Sequence, residues 1–310
     1  MLRKLHKKFI VPIIVSFLVF PITSCQKQSL LWLGTPRARQ SVPLHLLSKM
    51  RMLNMTEDSP VLLRIFKKEN TLEVWKQTQS GEYALLTSYK ICAWSGKLGP
   101  KYMTYDRQAP EGFYQLDTSH MNAFSHYYLA LNVGFPNAYD ASYGRRGANI
   151  MIHGGCSSSG CYAMTDRNIA EIYALVRDAF LGGQETVQIQ AFPFHMTAKN
   201  MALYRNDPNY SFWDNLRAGY AIFDLTHTPV SYRVSNGQYV FDLPENYAPY
   251  DEDYIKEFGY YADKYIKPPR ISNPKLRGIT GEGEAIKVAK WMMKAIQGQQ
   301  SSDIPPNLRR

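Results

Sequence analysis

The hydrophobic positions between residues 60 and 155 fall in short runs, many of them alternating with polar positions, as is typical of β-strands. The pattern predicts five strands, which lie at Val61–Phe66, Thr71–Trp75, Tyr83–Cys92, Tyr127–Val133 and Ala148–His153. A polar turn at residues 68–70 separates the first two. Aromatic residues make up 13% of the chain, with 22 tyrosines, and this favours strands with half-buried aromatic positions. This half of the chain is therefore predicted to be β-rich.

Helical spacing replaces the strand pattern on both sides of this region. Apolar residues between 42 and 55 predict a short helix that docks on the main domain. Ile169, Ile172, Tyr173, Val176 and Phe180 share one helical face, and Gly182-Gly183 ends that helix. Asp166 stands where an N-cap is useful. Residues 187–192 return to a strand pattern.

The C-terminal third is mixed. Residues 198–204 and 212–223 have helical patterns, and Asn236-Gly237 is the expected turn of a hairpin over residues 232–241. A further helix is predicted near residues 284–297. The polar tail over residues 299–310 contains Pro305-Pro306 and is predicted to be disordered. The fold class is therefore α+β, with a main domain over residues 60–195 and a C-terminal extension over residues 196–298 that packs on it.

The N-terminal segment has the pattern of a secretory signal. Four basic residues precede an apolar run over residues 9–22, which is shorter than the roughly 20 residues that a spanning helix needs. The run ends at Thr23-Ser24-Cys25, where small residues before a cysteine resemble the bacterial lipobox. We therefore expect residues 1–24 to be a lipoprotein signal peptide and Cys25 to carry the lipid. An ordinary signal peptide with a spare cysteine is the alternative.

The net charge of +10 comes partly from this predicted signal. The remaining basic excess favours contact with an anionic wall or membrane surface, and an ordinary solvated basic surface explains it equally well. No nucleic-acid motif is present, so no nucleic-acid partner is expected. Residues 25–59 are predicted to form a tether and the short docking helix.

The segment from His153 to Cys161 carries the candidate chemistry. It lies between a predicted strand and a predicted helix, where a rigid scaffold positions the side chains of a loop. A thiol is mostly protonated at neutral pH, and a neighbouring imidazole raises its thiolate fraction. Gly160 permits a tight turn that exposes Cys161. Backbone N–H groups at Ser159 and Gly160 are candidates for an oxyanion hole.

The cysteines allow other interpretations. A Cys156–Cys161 disulfide is compatible with an oxidising compartment and would block the proposed nucleophile. A Cys92–Cys156 bridge would leave Cys161 free. A metal site formed by His153, Cys156 and Cys161 lacks a clear fourth ligand, so neither a metal nor another cofactor is expected.

A family resemblance is carried by several separated motifs. Residues 61 to about 195 resemble the L,D-transpeptidase catalytic domain of the YkuD type, and most closely its YafK-like branch. The matching segments are Tyr89–Ile91, Gly96–Lys101, Ala109–Tyr114, Asn132–Asn137 with Asp140, Gly144–Gly147, Ile150–Gly154 and Ser159–Cys161. Ordered matches over this length are more specific than any single motif. Residues 192–197 and 213–220 are similar more loosely.

The resemblance implies a β-rich, sandwich-like core and an activity on peptidoglycan stem peptides. Cys161 would attack the carbonyl at the L-centre of the third stem-peptide residue, and His153 would accept and return the proton. Arg145 and Arg146 are candidates to bind a substrate carboxylate, although a solvated basic turn is an equal alternative. Tyr127 is a candidate to border the groove, and packing on its strand is the simpler interpretation.

The sequence departs from the usual family pattern in one respect. The insertion between His-Gly and the cysteine motif is nearly absent, and Ser159 replaces a second histidine, as in the YafK-like branch. This leaves transpeptidase and hydrolytic activity open, the latter as an amidase or an L,D-carboxypeptidase. An inactive wall-binding lipoprotein is the alternative of another class. We expect a periplasmic lipoprotein, at the outer rather than the inner membrane, with a wall-attached lipoprotein or outer-membrane protein as a candidate partner.

Overall fold

The computed structural model describes residues 31–242 and the two-residue strand Ile266–Lys267. The predicted signal peptide, Cys25, the helix near residues 284–297 and the tail lie outside the described residues. Within the described part of the chain, no helix has the length and apolar character needed to cross a membrane.

The sheet with the longer strands, here called the larger sheet, has five strands. They are β1 (Val61–Phe66), β2 (Thr71–Gln77), β3 (Tyr83–Lys90), β5 (Gly112–Leu116) and β10 (Val187–Phe192), in the order β3-β2-β1-β10-β5. Strand β1 pairs antiparallel with β2 and parallel with β10. Every residue of β1 and β10 is buried. These strands lack an exposed face because the sheet is covered on both sides, which explains the nearly continuous apolar sequence of β1.

Five helices surround the sheets in the described residues. They are α1 (Leu44–Met52), α2 (Ala138–Ser142), α3 (Asp166–Leu181), α4 (Ala198–Leu203) and α5 (Tyr210–Thr226). Alternate residues of β1 enter two cores. Leu63 belongs to the core that includes α3, and Leu62 belongs to the core that includes Trp213 of α5. The period of two along a strand thus places the central sheet between α3 and α5.

The smaller sheet is built of very short strands. They are β4 (Ala93–Trp94), β6 (Met121–Asn122), β7 (Ala130–Asn132), β8 (Met151–His153) and β9 (Tyr162–Ala163), in the order β4-β9-β8-β7-β6. The predicted strands at residues 127–133 and 148–153 are therefore shorter than the sequence pattern indicated. Tyr128 and Asn149 have positive φ angles of 69° and 58°, which interrupt extended backbone.

The N-cap of α3 lies one residue earlier than predicted. Thr165 is the N-cap, and its side chain accepts a hydrogen bond from the Asn168 N–H at 3.1 Å. Asp166 is instead the first residue of the helix, so the prediction of Asp166 as the cap was wrong. Its carboxylate is consequently available to a different partner.

The C-terminal segment packs against the main domain as far as it is described. Strands β11 (Ser231–Ser235) and β12 (Gln238–Asp242) form the predicted hairpin, and Asn236 and Gly237 both have positive φ angles. Strand β13 (Ile266–Lys267) pairs parallel with β12. The ring of Phe241 lies 5.3 Å from that of Phe113 in β5.

A fully buried ion pair fixes the segment before β5. Lys67 Nζ lies 2.8 Å from Glu111 Oε1, and neither side chain is exposed. Glu111 also accepts hydrogen bonds from the Gly99 N–H and from Trp213 Nε1. Burial lowers the pKa of Lys67, and the Glu111 carboxylate opposes that shift. The next residue back, Pro110, accepts a hydrogen bond from the Tyr162 hydroxyl, which ties this segment to the neighbour of Cys161.

Candidate active site

Strand register brings His153 and Cys161 to one face of the smaller sheet. Strands β8 and β9 run parallel, with Ile152 opposite Tyr162 and His153 opposite Ala163. Cys161 precedes Tyr162 and therefore shares the face of His153, because side chains alternate along a strand. With strands about 4.8 Å apart and a rise of about 3.3 Å per residue, the two Cα atoms are separated by about 8 Å.

The imidazole of His153 is held in a defined tautomer. Its Nδ1 lies 2.6 Å from the carbonyl oxygen of Gly154, which can only accept, so Nδ1 carries the proton and Nε2 is the basic atom. The side chain is 4% exposed, and the ring of Tyr127 lies 4.6 Å away at an angle of 34°. Burial lowers the pKa of His153, and the hydrogen bond to Gly154 partly offsets that effect.

The thiol of Cys161 is free and half-buried. Its Sγ accepts from the Met151 N–H at 3.4 Å and donates to the Asn149 carbonyl at 3.7 Å. Burial raises the pKa of Cys161, whereas the Met151 N–H and the positive charge of Lys101 lower it. The net effect is a raised pKa for Cys161. With the lowered pKa of His153, it keeps both side chains uncharged at neutral pH.

The described structure contains no hydrogen bond between the thiol and the imidazole. Sγ points instead along β8 toward Asn149. Proton transfer between the two side chains would require a different staggered position of Sγ about the Cα–Cβ bond of Cys161. Hydrogen bonds between catalytic groups are often long or unformed before substrate binds.

The disulfide joins Cys92 and Cys156, whose Cα atoms are 5.1 Å apart. The sequence allowed either a Cys92–Cys156 or a Cys156–Cys161 disulfide. The Cys92–Cys156 disulfide is the one formed, and it leaves the Cys161 thiol free. Cys156 also donates its N–H to the Met164 carbonyl at 3.1 Å. Residues 31–242 contain no cluster of three His, Cys, Asp or Glu side chains suited to hold a metal ion.

Three backbone N–H groups at the other end of the loop are unpaired in the described structure. Within the described chain, the N–H groups of Ser159, Gly160 and Cys161 have no intramolecular acceptor. Gly160 has a φ of 111°, a conformation that only glycine adopts without strain. Ser158 Oγ donates to the Cys161 carbonyl at 2.6 Å and fixes the turn beside the thiol.

The two candidate arginines lie in different environments. Arg145 is buried, its Nη1 is 2.8 Å from Asp140 Oδ1, and four aromatic rings surround its guanidinium. This guanidinium is therefore engaged inside the protein, and the binding of a substrate carboxylate by Arg145 stays a prediction. Arg146 is exposed, and its N–H donates to the Tyr102 carbonyl at 3.0 Å.

Sequence reasoning missed the loop over residues 101–108. A β-carbon placed on Gly160 would lie 3.6 Å from the Gln108 carbonyl oxygen, so this loop forms one wall beside Cys161. Asp106 pairs with Lys101 and accepts N–H groups from Tyr102 and Met103, which holds the loop in shape. Tyr105 is 94% exposed at its tip. Of the residues in this loop, only Lys101 belongs to a segment that carries the family resemblance.

This fold and this group of side chains are typical of an acyl-transfer domain, and the family comparison agrees with that class. The model of the L,D-transpeptidase catalytic domain family (YkuD) matches residues 60–237, and the chain belongs to this family. The predicted family and the α+β fold class are therefore confirmed. Membership makes the chain an enzyme of peptidoglycan metabolism.

The particular relatives are proteins of Escherichia coli. The chain is 45% identical over 186 residues to the protein described as "Putative L,D-transpeptidase YafK" from strain K12 and from O157:H7, and the match covers 60% of this chain and 75% of each relative. Among solved structures, the helical cell shape determining protein Pgp2 from Campylobacter jejuni is 17% identical. It has a TM-score of 0.35, covering 65% of this chain and 90% of that one. Bd1075 from Bdellovibrio bacteriovorus is 20% identical, with a TM-score of 0.32, covering 56% and 63%.

Proposed function

We propose that the chain is an L,D-transpeptidase that acts through a Cys161 thioester on peptidoglycan stem peptides. The observation that carries the proposal is the register of β8 and β9. The proposal is also supported by the free thiol of Cys161, the fixed tautomer of His153 and, in the described structure, the unpaired N–H groups of residues 159–161. This is the set of groups that acyl transfer requires.

The proposed reaction begins with the pair uncharged. His153 Nε2 takes the Cys161 proton as Sγ attacks the carbonyl at the L-centre of the third stem-peptide residue. The N–H groups of Ser159, Gly160 and Cys161 stabilise the oxyanion. The C–N bond then breaks, His153 returns its proton to the leaving amine, and a thioester remains. An acceptor amine attacks the thioester, gives a proton to His153, and the thiol is restored.

Two further residues are proposed to contact the substrate. Tyr127 is half exposed beside the imidazole, and its ring forms one border of the cleft. Arg146 is exposed, its backbone N–H is bonded to Tyr102, and its guanidinium suits a substrate carboxylate. The hydrolytic activity differs only in using water as the acceptor, so it is an outcome of the test below.

The test is incubation of purified protein with defined muropeptides, with and without an added amine acceptor. Amine-dependent formation of a new amide bond at the third residue is expected. Acceptor-independent trimming or release would instead identify a hydrolase of the same family. Unchanged muropeptides under both conditions would contradict both activities.

The nucleophile is tested separately by mass spectrometry after treatment with a carbapenem, a strained acylating agent. We expect one covalent adduct on the wild-type protein, and none on Cys161→Ala. The other described cysteines are joined in the disulfide and serve as an internal control. An adduct that persists in Cys161→Ala would show that another residue is the nucleophile.

The location is also a proposal. We expect the chain to be periplasmic and anchored through lipidated Cys25, at the outer membrane, near a wall-attached lipoprotein or outer-membrane protein as partner. Metabolic labelling with a fatty acid should mark the wild-type protein and not Cys25→Ser. Equal labelling of both would contradict the anchor.

A further inference from the structure

One peptide unit lies between the imidazole of His153 and a carboxylate. The Gly154 carbonyl accepts from His153 Nδ1 at 2.6 Å. The N–H of the same peptide unit, which belongs to Gly155, donates to Asp166 Oδ1 at 2.9 Å. This peptide unit is therefore hydrogen-bonded to the imidazole N–H of His153 on one side and to the carboxylate of Asp166 on the other.

Crowding keeps this arrangement in place. A β-carbon at Gly154 would approach Asp166 Oδ1 to 2.4 Å and the Tyr127 carbonyl to 2.8 Å, so only glycine permits the carboxylate to come this close. The Gly154 N–H is also bound, to the carbonyls of Tyr127 and Leu129 at 3.0 and 3.3 Å. That N–H belongs to the preceding peptide unit, so hydrogen bonds hold the backbone on both sides of Gly154.

A carboxylate at this position affects the imidazole in two ways. It fixes the direction in which the Gly154 carbonyl points, and this direction sets the plane and tautomer of the ring. It also polarises the amide, because hydrogen bonds in series strengthen one another. A more negative carbonyl oxygen holds the Nδ1 proton more firmly and favours the imidazolium that forms when the thiol is deprotonated.

The other charged and titratable groups around the imidazole are few. Tyr127 covers the ring, Cys161 shares its face, and Lys101 acts on the thiol. Arg167 follows Asp166 on α3 and extends to Glu171, with Nε and Oε1 3.2 Å apart. Asp166 is thus the carboxylate that contacts the imidazole's own hydrogen-bond partner.

Helix stabilisation is the competing role. An acidic first residue interacts favourably with the N-terminal dipole of α3, typically by 0.3 to about 1 kcal/mol. That role would require only a negative charge near the helix end. It would not require the hydrogen bond to Gly155, which lies eleven positions earlier in the chain.

We infer that Asp166 is a positioning residue for His153 and acts through the Gly154–Gly155 peptide unit. The inference rests on the proposed function, in which His153 is the base. The imidazole, the peptide unit and the carboxylate form one continuous chain of hydrogen bonds that spans β8, the loop after it and the start of α3.

The experiment compares Asp166→Ala, Asp166→Asn and Thr165→Ala by NMR of ¹⁵N-labelled histidine and by the rate of muropeptide turnover. Thr165→Ala removes the cap of the same helix and leaves the peptide unit untouched, so it is the matched control for helix stability. D166N retains an oxygen for the Gly155 N–H and removes the charge.

We expect Asp166→Ala to lower turnover about tenfold and to reduce the Nδ1–H tautomer of His153. D166N should recover most of the turnover and keep the tautomer, while lowering the pKa of His153 because the negative charge is lost. Thr165→Ala should change neither the tautomer nor the pKa. An unaltered tautomer in Asp166→Ala would overturn the inference, as would equal effects in Asp166→Ala and Thr165→Ala.

Different results would contradict the proposed function and the positioning role of Asp166. If wild-type protein leaves muropeptides unchanged and Asp166→Ala still shifts the tautomer, the proposed function fails and the positioning role stands. If wild-type protein is active and Asp166→Ala matches it in rate and tautomer, the positioning role alone fails.

Discussion

The two halves of the loop between β8 and β9 differ in how their backbone is bound. Gly154, Gly155 and Cys156 all donate their N–H groups within the protein, and Cys156 is bridged to Cys92. In the described structure, the N–H groups of Ser159, Gly160 and Cys161 have no such acceptor. The first half fixes the peptide unit that contacts His153, and the second half leaves its donors unpaired, as the proposed oxyanion role requires.

This contrast predicts how substitutions divide between rate and stability. Changes in residues 154–156, the bound half, should affect folding as well as catalysis, because they remove contacts that exist before substrate arrives. Changes in residues 159–161, the open half, should affect the rate more than the stability. The predictions below test this division in order of decreasing expected effect.

The largest effect is expected for His153→Gln. The side chain is retained in size and loses the basic Nε2, so turnover should fall about 10²- to 10⁴-fold, the usual contribution of a general base. Thermal unfolding should show a far smaller change than the rate. His195→Gln is a suitable control, since that histidine stacks on Phe66 at 3.8 Å in the other core. Equal losses in both variants would contradict the assignment of the base.

The pH dependence provides a second test of the same pair. Protonation of His153 removes the base, and burial places its pKa below the usual 6.5, so the rate should fall only on the acid side of that value. Burial raises the pKa of Cys161 above 9.0. Ionisation of the free thiol should therefore add no limb to the pH profile near neutrality. A plot of kcat/KM against pH should be flat from about 7 to 8.5. An acid limb centred above pH 6.5 would contradict the lowered pKa.

Removing the disulfide should have the next largest effect. The double variant Cys92→Ser/Cys156→Ser should lower the free energy of unfolding by about 2–4 kcal/mol, since the bridge closes a loop of 64 residues. Chemical denaturation measures this, and the wild-type protein treated with reductant should lose a similar amount. Little change in either case would mean that the bound half does not depend on the bridge.

A smaller effect is expected for Gly160→Ala in the open half. The position has space for a β-carbon but a φ of 111°, so the cost in stability should be about 1–2 kcal/mol. Reorientation of the Gly160 N–H should lower turnover by about tenfold or more. The exposed neighbour supplies the control, because Ser159→Ala keeps the backbone donor and should be nearly neutral. A Gly160→Ala variant with full activity would contradict the oxyanion role.

Much of the fold could be predicted because its helices and larger strands have strong periodic patterns. Strands β1 and β10, helix α3 and the hairpin at Asn236-Gly237 all lie where the sequence placed them. The candidate pair His153 and Cys161 was also evident, because the loop motif is local and the ordered family motifs support it.

The parts that could not be predicted depend on long-range contacts. Strand β5 and the two-residue strands exist because neighbouring strands supply their hydrogen bonds, and their own sequences are too short to show a period. The burial of Arg145 depends on Asp140 and on aromatic rings distant in sequence. Thr165 and Asp166 are equally good caps by residue type, and they are distinguished by the Asn168 N–H that Thr165 accepts and by the Gly155 N–H that Asp166 accepts.

The alignment of β8 with β9 rests on only two paired positions. A slip by a single residue would turn Cys161 to the reverse side of the sheet, away from the imidazole. An insertion or deletion between the two strands therefore cannot be absorbed by sliding one strand past the other. The loop over residues 154–161, and not the strand register, must therefore take up any change in length.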